Sequence, residues 1–150
     1  MYRNLRFTTW AEVNAEIEKL EKAKSPTSTG KWSVNQILEH LEDIISDTVH
    51  GKKKPMPWIL KITIGKMFFR KMMKDGYMKP GNFNPDGAKD RVEKDYKPTL
   101  EKLKTSIKEF IAIDEKDMKE NSFMGKITKE QSGNIHIYHI AHHFSYIQYN

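Results

Sequence analysis

"SVNQILEHLEDIISDTVHG", residues 33–51, reads as one complete amphipathic helix. Ser33 and Gln36 have the spacing of a capping box, in which the two side chains satisfy backbone N–H groups that a first helical turn leaves without partners. Val34, Ile37, Leu38, Leu41, Ile44 and Ile45 then recur three and four residues apart, the spacing of one helix face. Gly51 follows where a helix of this length would stop. The pattern predicts a helix over 33–49.

The same grammar recurs on both sides. "TWAE" at 9–12 is a second capping box, and Trp10, Val13, Ile17 and Leu20 continue it to about Lys24. "SPTSTG" at 25–30 breaks that helix. Val92, Tyr96, Leu100, Leu103, Ile107, Phe110 and Ile111 predict a third helix over 88–112, kinked at Pro98 because the apolar phase continues across the proline. "TKEQ" at 128–131 opens a fourth, read to Tyr149. No strand alternation and no internal repeat is visible. Some forty residues separate the second and third helices, too many for a tight turn. In this crossover "PWILKITIGKMFFRKMMKDG" (57–76) reads as an accessory helix and "KPGNFNPDG" (79–87) as an irregular loop. The expected architecture is all-α: a single domain over 1–150, a four-helix bundle with a long crossover between helices 2 and 3.

A chain of 150 residues can bury a core without staples. The absence of cysteine excludes disulfides, thiolate ligands and a cysteine nucleophile, and it fits a reducing compartment. "MYRNLRFTTWAEV" lacks the apolar core of a signal peptide, and no stretch is a membrane span. A cytoplasmic protein is expected.

Four of the six histidines fall within 136–143. On a helix, His139 and His143 lie four apart on one face, where two imidazoles can bind one ion, and His136 lies on the same strip one turn earlier. His142 points away and is expected at the surface, as is His50. His40 sits at the edge of the second helix's apolar stripe and can face the same interior from a neighbouring helix. A core histidine bonded to a carbonyl or carboxylate is the competing reading for each of them taken alone. Asp43 and Asp47 follow His40 by one and two turns, and together with Glu39 they are candidates to orient an imidazole or take a proton. His136 is a candidate proton shuttle or further ligand.

"WSVNQILEHLEDII" (32–45) and "HIAHHFSYIQ" (139–148) together resemble the DinB-like (damage-inducible, YfiT-like) superfamily of metalloproteins. "NSFMGKIT" (121–128) is similar to the lead-in to the last helix in one of its uncharacterised subfamilies. The resemblance implies a four-helix bundle with a long crossover. It also implies that His40, His139 and His143 hold a divalent metal ion. The chain departs from the superfamily's usual "HHLRQ" ending, with Tyr146 where the glutamine would stand. Three imidazoles leave a coordination position open, and nitrogen ligation suits zinc, nickel or iron. The resemblance implies a metal-dependent enzyme acting on a small molecule, a thiol S-transferase or a hydrolase, with a low-molecular-weight thiol such as bacillithiol or mycothiol as cosubstrate. The alternative is a non-catalytic, stress-related binding protein or homodimer.

Residues 51–80 carry nine Lys and Arg against one acid, Asp75, within a chain of net charge +6. Trp58, Ile62, Phe69, Met72 and Met73 form one apolar stripe there, with Leu60, Ile64 and Met67 facing elsewhere. A crossover helix capping the bundle, its lysines in water, is the default. Such a helix can also cover a pocket, form a dimer contact or meet an anionic membrane, the last being the least supported. No motif specific to nucleic-acid binding accompanies it.

Overall fold

The computed structural model describes residues 1–81 and 90–149. The chain is mostly helical: α1 (Trp10–Lys22), α2 (Val34–His50), α3 (Trp58–Leu60), a π-helical turn (Lys61–Gly65), α4 (Lys66–Asp75), α5 (Lys97–Ala112) and α6 (Lys129–Phe144). A two-stranded antiparallel ladder, β1 (Thr27–Ser28) with β2 (Ile147–Gln148), completes it.

All three capping boxes form. Thr9 pairs with Glu12, Ser33 with Gln36 and Thr128 with Gln131, so α1, α2 and α6 each begin where the side chains satisfy the orphan donors. α2 ends at Gly51, whose φ of 67° lets its N–H reach the Asp47 carbonyl at 2.7 Å. One core joins Val13, Ile17 and Leu20 of α1, the 34–45 stripe of α2, Leu100 to Phe110 of α5, and Ile137 to Phe144 of α6. The most extensive helix pair is α2 against α5.

Three expectations are corrected. α5 begins at Lys97, not 88. Pro98 therefore occupies the first turn, where no intrahelical N–H is needed, and kinks nothing. Upstream, residues 90–92 lie along the start of α2: Ser33 Oγ donates to the Val92 carbonyl at 2.6 Å, and Gln36 Nε2 to that of Asp90 at 2.7 Å. The loop read at 79–87 and the first residues of that helix fall partly in 82–89, outside the described residues. Secondly, α6 stops at Phe144. Ser145 turns the chain, with its Oγ donating to the Ala141 carbonyl at 2.7 Å and accepting from the Leu5 N–H at 2.8 Å. Ile147 then enters the core from β2, a strand too short to show an alternating pattern.

The third correction concerns the accessory helix, which is present but out of its expected phase. The π turn inserts one residue, leaving Trp58 and Ile62 exposed while Met72 is buried. The turn also carries Gly65 against the loop that precedes α6: a Cβ there would lie 2.2 Å from the Phe123 carbonyl oxygen, so only glycine permits the approach. That loop is held by Asn121, whose Oδ1 accepts from the N–H groups of Phe123 and Met124, and it turns at Gly125 with φ of 81°. Met72, Met124, Ile127 and Ile135 consequently form a second, smaller core between α4 and the N-terminal half of α6.

Candidate metal centre

α2 and α6 bring His40, His139 and His143 together. His139 Nε2 lies 3.1 Å from His40 Nε2 and 3.0 Å from His143 Nε2. The three rings stand edge to face, their centroids 4.7–4.9 Å apart. Three nitrogens about 2.0–2.1 Å from one tetrahedral ion would be separated by about 3.3 Å, so the group could hold a metal ion after small rotations of the rings.

The chemistry of the donor set agrees. A neutral imidazole Nε2 offers either one proton or one lone pair, so that of His139 cannot serve two imidazole neighbours equally well. A cation at the centre would accept lone pairs from all three. Burial, reinforced by the neighbouring imidazoles, holds His139 and His143 well below the ordinary histidine range, keeping both in the neutral form that ligation requires.

Trp32, which sequence reasoning passed over, positions two of the rings. Its indole stacks on His143 at 5.6 Å with an interplanar angle of 8° and meets His40 edge-on at 4.9 Å. It stands immediately before the N-cap Ser33, so the residue that starts α2 also fixes this contact. The signal available in sequence was only an aromatic residue two turns before a histidine.

Of the remaining candidates only Asp47 shares a cavity with the three imidazoles. His136 continues the strip but enters the core: its Nε2 faces Thr48 Oγ1 at 3.1 Å, and its ring meets Phe110 at 4.9 Å. Burial pushes it down to about 4. Asp47 is buried and lines the same cavity as the three imidazoles, where its oxygens accept from the Lys53 N–H and from Ser122 Oγ and so clamp the end of α2 to the crossover and the 121–125 loop. Asp43 is exposed, and Glu39 is exposed and bonded to Asn35. His50 is exposed and pairs with Glu109 at 3.0 Å.

His142, expected in solvent, is half-buried. The N-terminal segment returns along the end of α6, with the Arg3 N–H on the Ser145 carbonyl and Tyr2 edge-on to Tyr146 at 4.9 Å. His142 is thereby enclosed against His143 and Tyr146, and its Nδ1 has no hydrogen-bond partner among the described residues.

All four of these imidazoles, His40, His139, His142 and His143, line one cavity of about 260 Å³. Ile44, Phe68, Met78, Met124 and Ile135 form its apolar wall, while Asp47, Lys53, Lys54, Asn121 and Ser122 supply polar groups. The accessory helix and the 121–125 loop are thus part of the site. For the accessory helix this agrees with the reading that it can cover a pocket; nothing local in the sequence announces the part of the 121–125 loop, which arrives from a distant position.

No curated protein and no solved structure matches the chain. A family model does, over residues 1–150, and the chain accordingly belongs to the family of proteins of unknown function DUF1569.

Proposed function

We propose that the protein is a metal-dependent enzyme in which His40, His139 and His143 hold one divalent ion at the wall of the 260 Å³ cavity. The observation that carries this is the meeting of three Nε2 atoms, from positions a hundred residues apart, at 3.0 and 3.1 Å. In this reading residues 1–150 form one domain of DinB-like type, with α1, α2, α5 and α6 as a four-helix bundle and α3–α4 as the crossover helix. Such an ion, when bound, supplies a Lewis acid and lowers the pKa of water or a thiol.

The protein's own groups divide the remaining work. Trp32 holds two imidazole planes in place. Phe68, Met78, Met124 and Ile135 exclude water from one side of the substrate and favour a partly apolar molecule. Lys53 and Lys54 favour an anionic group on it. The chain has no cysteine, so a thiol would enter as cosubstrate, and S-transfer or hydrolysis in the cytoplasm is the reaction class supported best.

Untagged protein, loaded with zinc, nickel or iron(II) and desalted, should retain one ion per chain; His40→Ala should retain none. Full occupancy in that variant would end the assignment. Turnover of low-molecular-weight thiols with electrophilic acceptors, and of hydrolysable esters and amides, should appear in the loaded protein and vanish with chelator. Turnover that survives complete metal removal would leave a metal-binding protein whose catalysis lies elsewhere.

A further inference from the structure

The cavity uses only the inner side of the crossover helix. On its outer side Trp58, Ile59, Ile62 and Met67 are 68, 54, 54 and 66% exposed, while Met72 on the inner side is 2% exposed. The π turn makes this face continuous. Trp58 and Ile62 are four residues apart, Ile62 and Met67 five, and the wider turn between them brings the five-residue step back into line. One turn further on, Arg70, Lys71 and Lys74 are exposed at positions three, four and seven after Met67. These three cations make no ion pair among the described residues, whereas Lys61 and Lys79 are bridged to Glu120 and Asp75. Exposed Lys52 and Lys54 precede the helix.

We infer that this outer face, from Trp58 to Lys74, docks on an anionic lipid bilayer. Indole and aliphatic side chains at one end suit the boundary between headgroups and acyl chains, and exposed cations at the other suit acidic headgroups. No helix among the described residues is long and apolar enough to cross a membrane, so the contact is peripheral. Charge decides against a second copy as the occupant. Two such faces brought together would set the lysines and arginine of a segment with nine cations and one acid against their own kind. A nucleic acid would leave the tryptophan, isoleucines and methionine without a role, since its backbone offers charge but no apolar bed.

The full chain is floated with vesicles of phosphatidylcholine alone and of phosphatidylcholine mixed with phosphatidylserine, each with chelator and with zinc. It should bind the mixed vesicles only, with or without metal, and be released by salt. Tryptophan emission should shift to the blue on binding in the wild type but not in Trp58→Phe, because Trp58 is the indole that lies in solvent. Combined Arg70→Gln, Lys71→Gln and Lys74→Gln should weaken binding about a hundredfold. Ile62→Ser with Met67→Ser should abolish it. All of these side chains are exposed, so unchanged circular dichroism will confirm that the fold is kept.

The inference is overturned if the wild type binds neither vesicle or binds both alike, or if the charge variant binds as tightly as the wild type. Tighter association with duplex nucleic acid than with lipid, or a lipid-free dimer that shields Trp58, would overturn it equally. Metal stoichiometry is read separately, so loss of either conclusion leaves the other standing.

Discussion

The two halves of α6 carry the same side chain into two different environments. His136 and His139 stand one turn apart on one strip, and both are removed from water. His136 meets the buried hydroxyls of Thr48 and Ser132 and the edge of Phe110, with no other imidazole at hydrogen-bond distance among the described residues. His139 meets two further imidazoles at hydrogen-bond distance and opens on a cavity. Burial makes both neutral, so it cannot distinguish a core histidine from a ligand. The distinction is made by what the facing helix presents: Thr48 near the end of α2, His40 about two turns earlier. Spacing along one helix nominates candidates, and the register of the partner helix selects among them.

The most severe test separates the two directly. His139→Ala should abolish retention of a divalent ion, while His136→Asn should leave one ion per chain, both read by elemental analysis after desalting. If His136→Asn also loses the ion, the boundary drawn along α6 is misplaced.

pH separates them next. The folded chain holds His136 down at about 4, against about 6.5 when unfolded, so between these values the unfolded chain binds more protons. Stability from this group is therefore complete above about pH 6.5 and falls away as pH drops toward 4, by about 3 kcal/mol in all. In urea denaturation with chelator present, the wild type should lose more stability than His136→Asn over that window. At pH 7 the variant should be the weaker of the two through poorer packing, and the gap should close in acid. Parallel curves would show that His136 does not titrate from a buried neutral state.

A smaller effect is expected where the cavity's outer wall is held. Gly65→Ala would push a Cβ to 2.2 Å from the Phe123 carbonyl oxygen, and the π turn and the 121–125 loop must part. The expected cost is about 2 kcal/mol, measured by thermal or urea unfolding. Because His40, His139 and His143 lie on α2 and α6, metal stoichiometry should survive. A variant as stable as the wild type would show that the loop yields freely.

Much of the helical frame was legible because its signals are local. Three capping boxes, Gly51 and the stripes of α1, α2 and α5 depend on residues within a few positions of one another. So did the pairing of His139 with His143, and the placing of His40 beside the stripe of α2. What escaped the sequence depends on segments arriving from far away. His142 reads as a surface residue on any isolated helix, and only the return of residues 2–5 along Ser145 encloses it. Phe68, Met78 and Met124 reach the cavity because a glycine and an asparagine-held turn let a loop press on the accessory helix. The π turn has no marker of its own in the sequence, and the apolar phase read across it failed for that reason. Pro98 was visible, but continuation of the stripe through Val92 and Tyr96 masked its more ordinary place at a helix start.

Trp32 offers the finest comparison, because it is to the metal centre what Phe110 is to His136: an aromatic neighbour that fixes a ring plane. The difference lies in what a fixed plane is worth. His136 needs only to fill its space and meet a hydroxyl, and a tilted ring would serve nearly as well. The three imidazoles must aim lone pairs at one point, so small rotations carry a direct cost in affinity. Trp32→Leu removes the stack on His143 and the edge contact on His40 while leaving all three imidazoles in place. Retention of the ion with affinity reduced about tenfold, measured by chelator competition, is the expected outcome, with Trp32→Phe recovering most of the loss. Equal affinity in Trp32→Leu and wild type would mean that the helix backbones alone aim the rings. Trp32 would then be packing like Phe110, and the contrast between the two halves of α6 would rest on the facing helix alone.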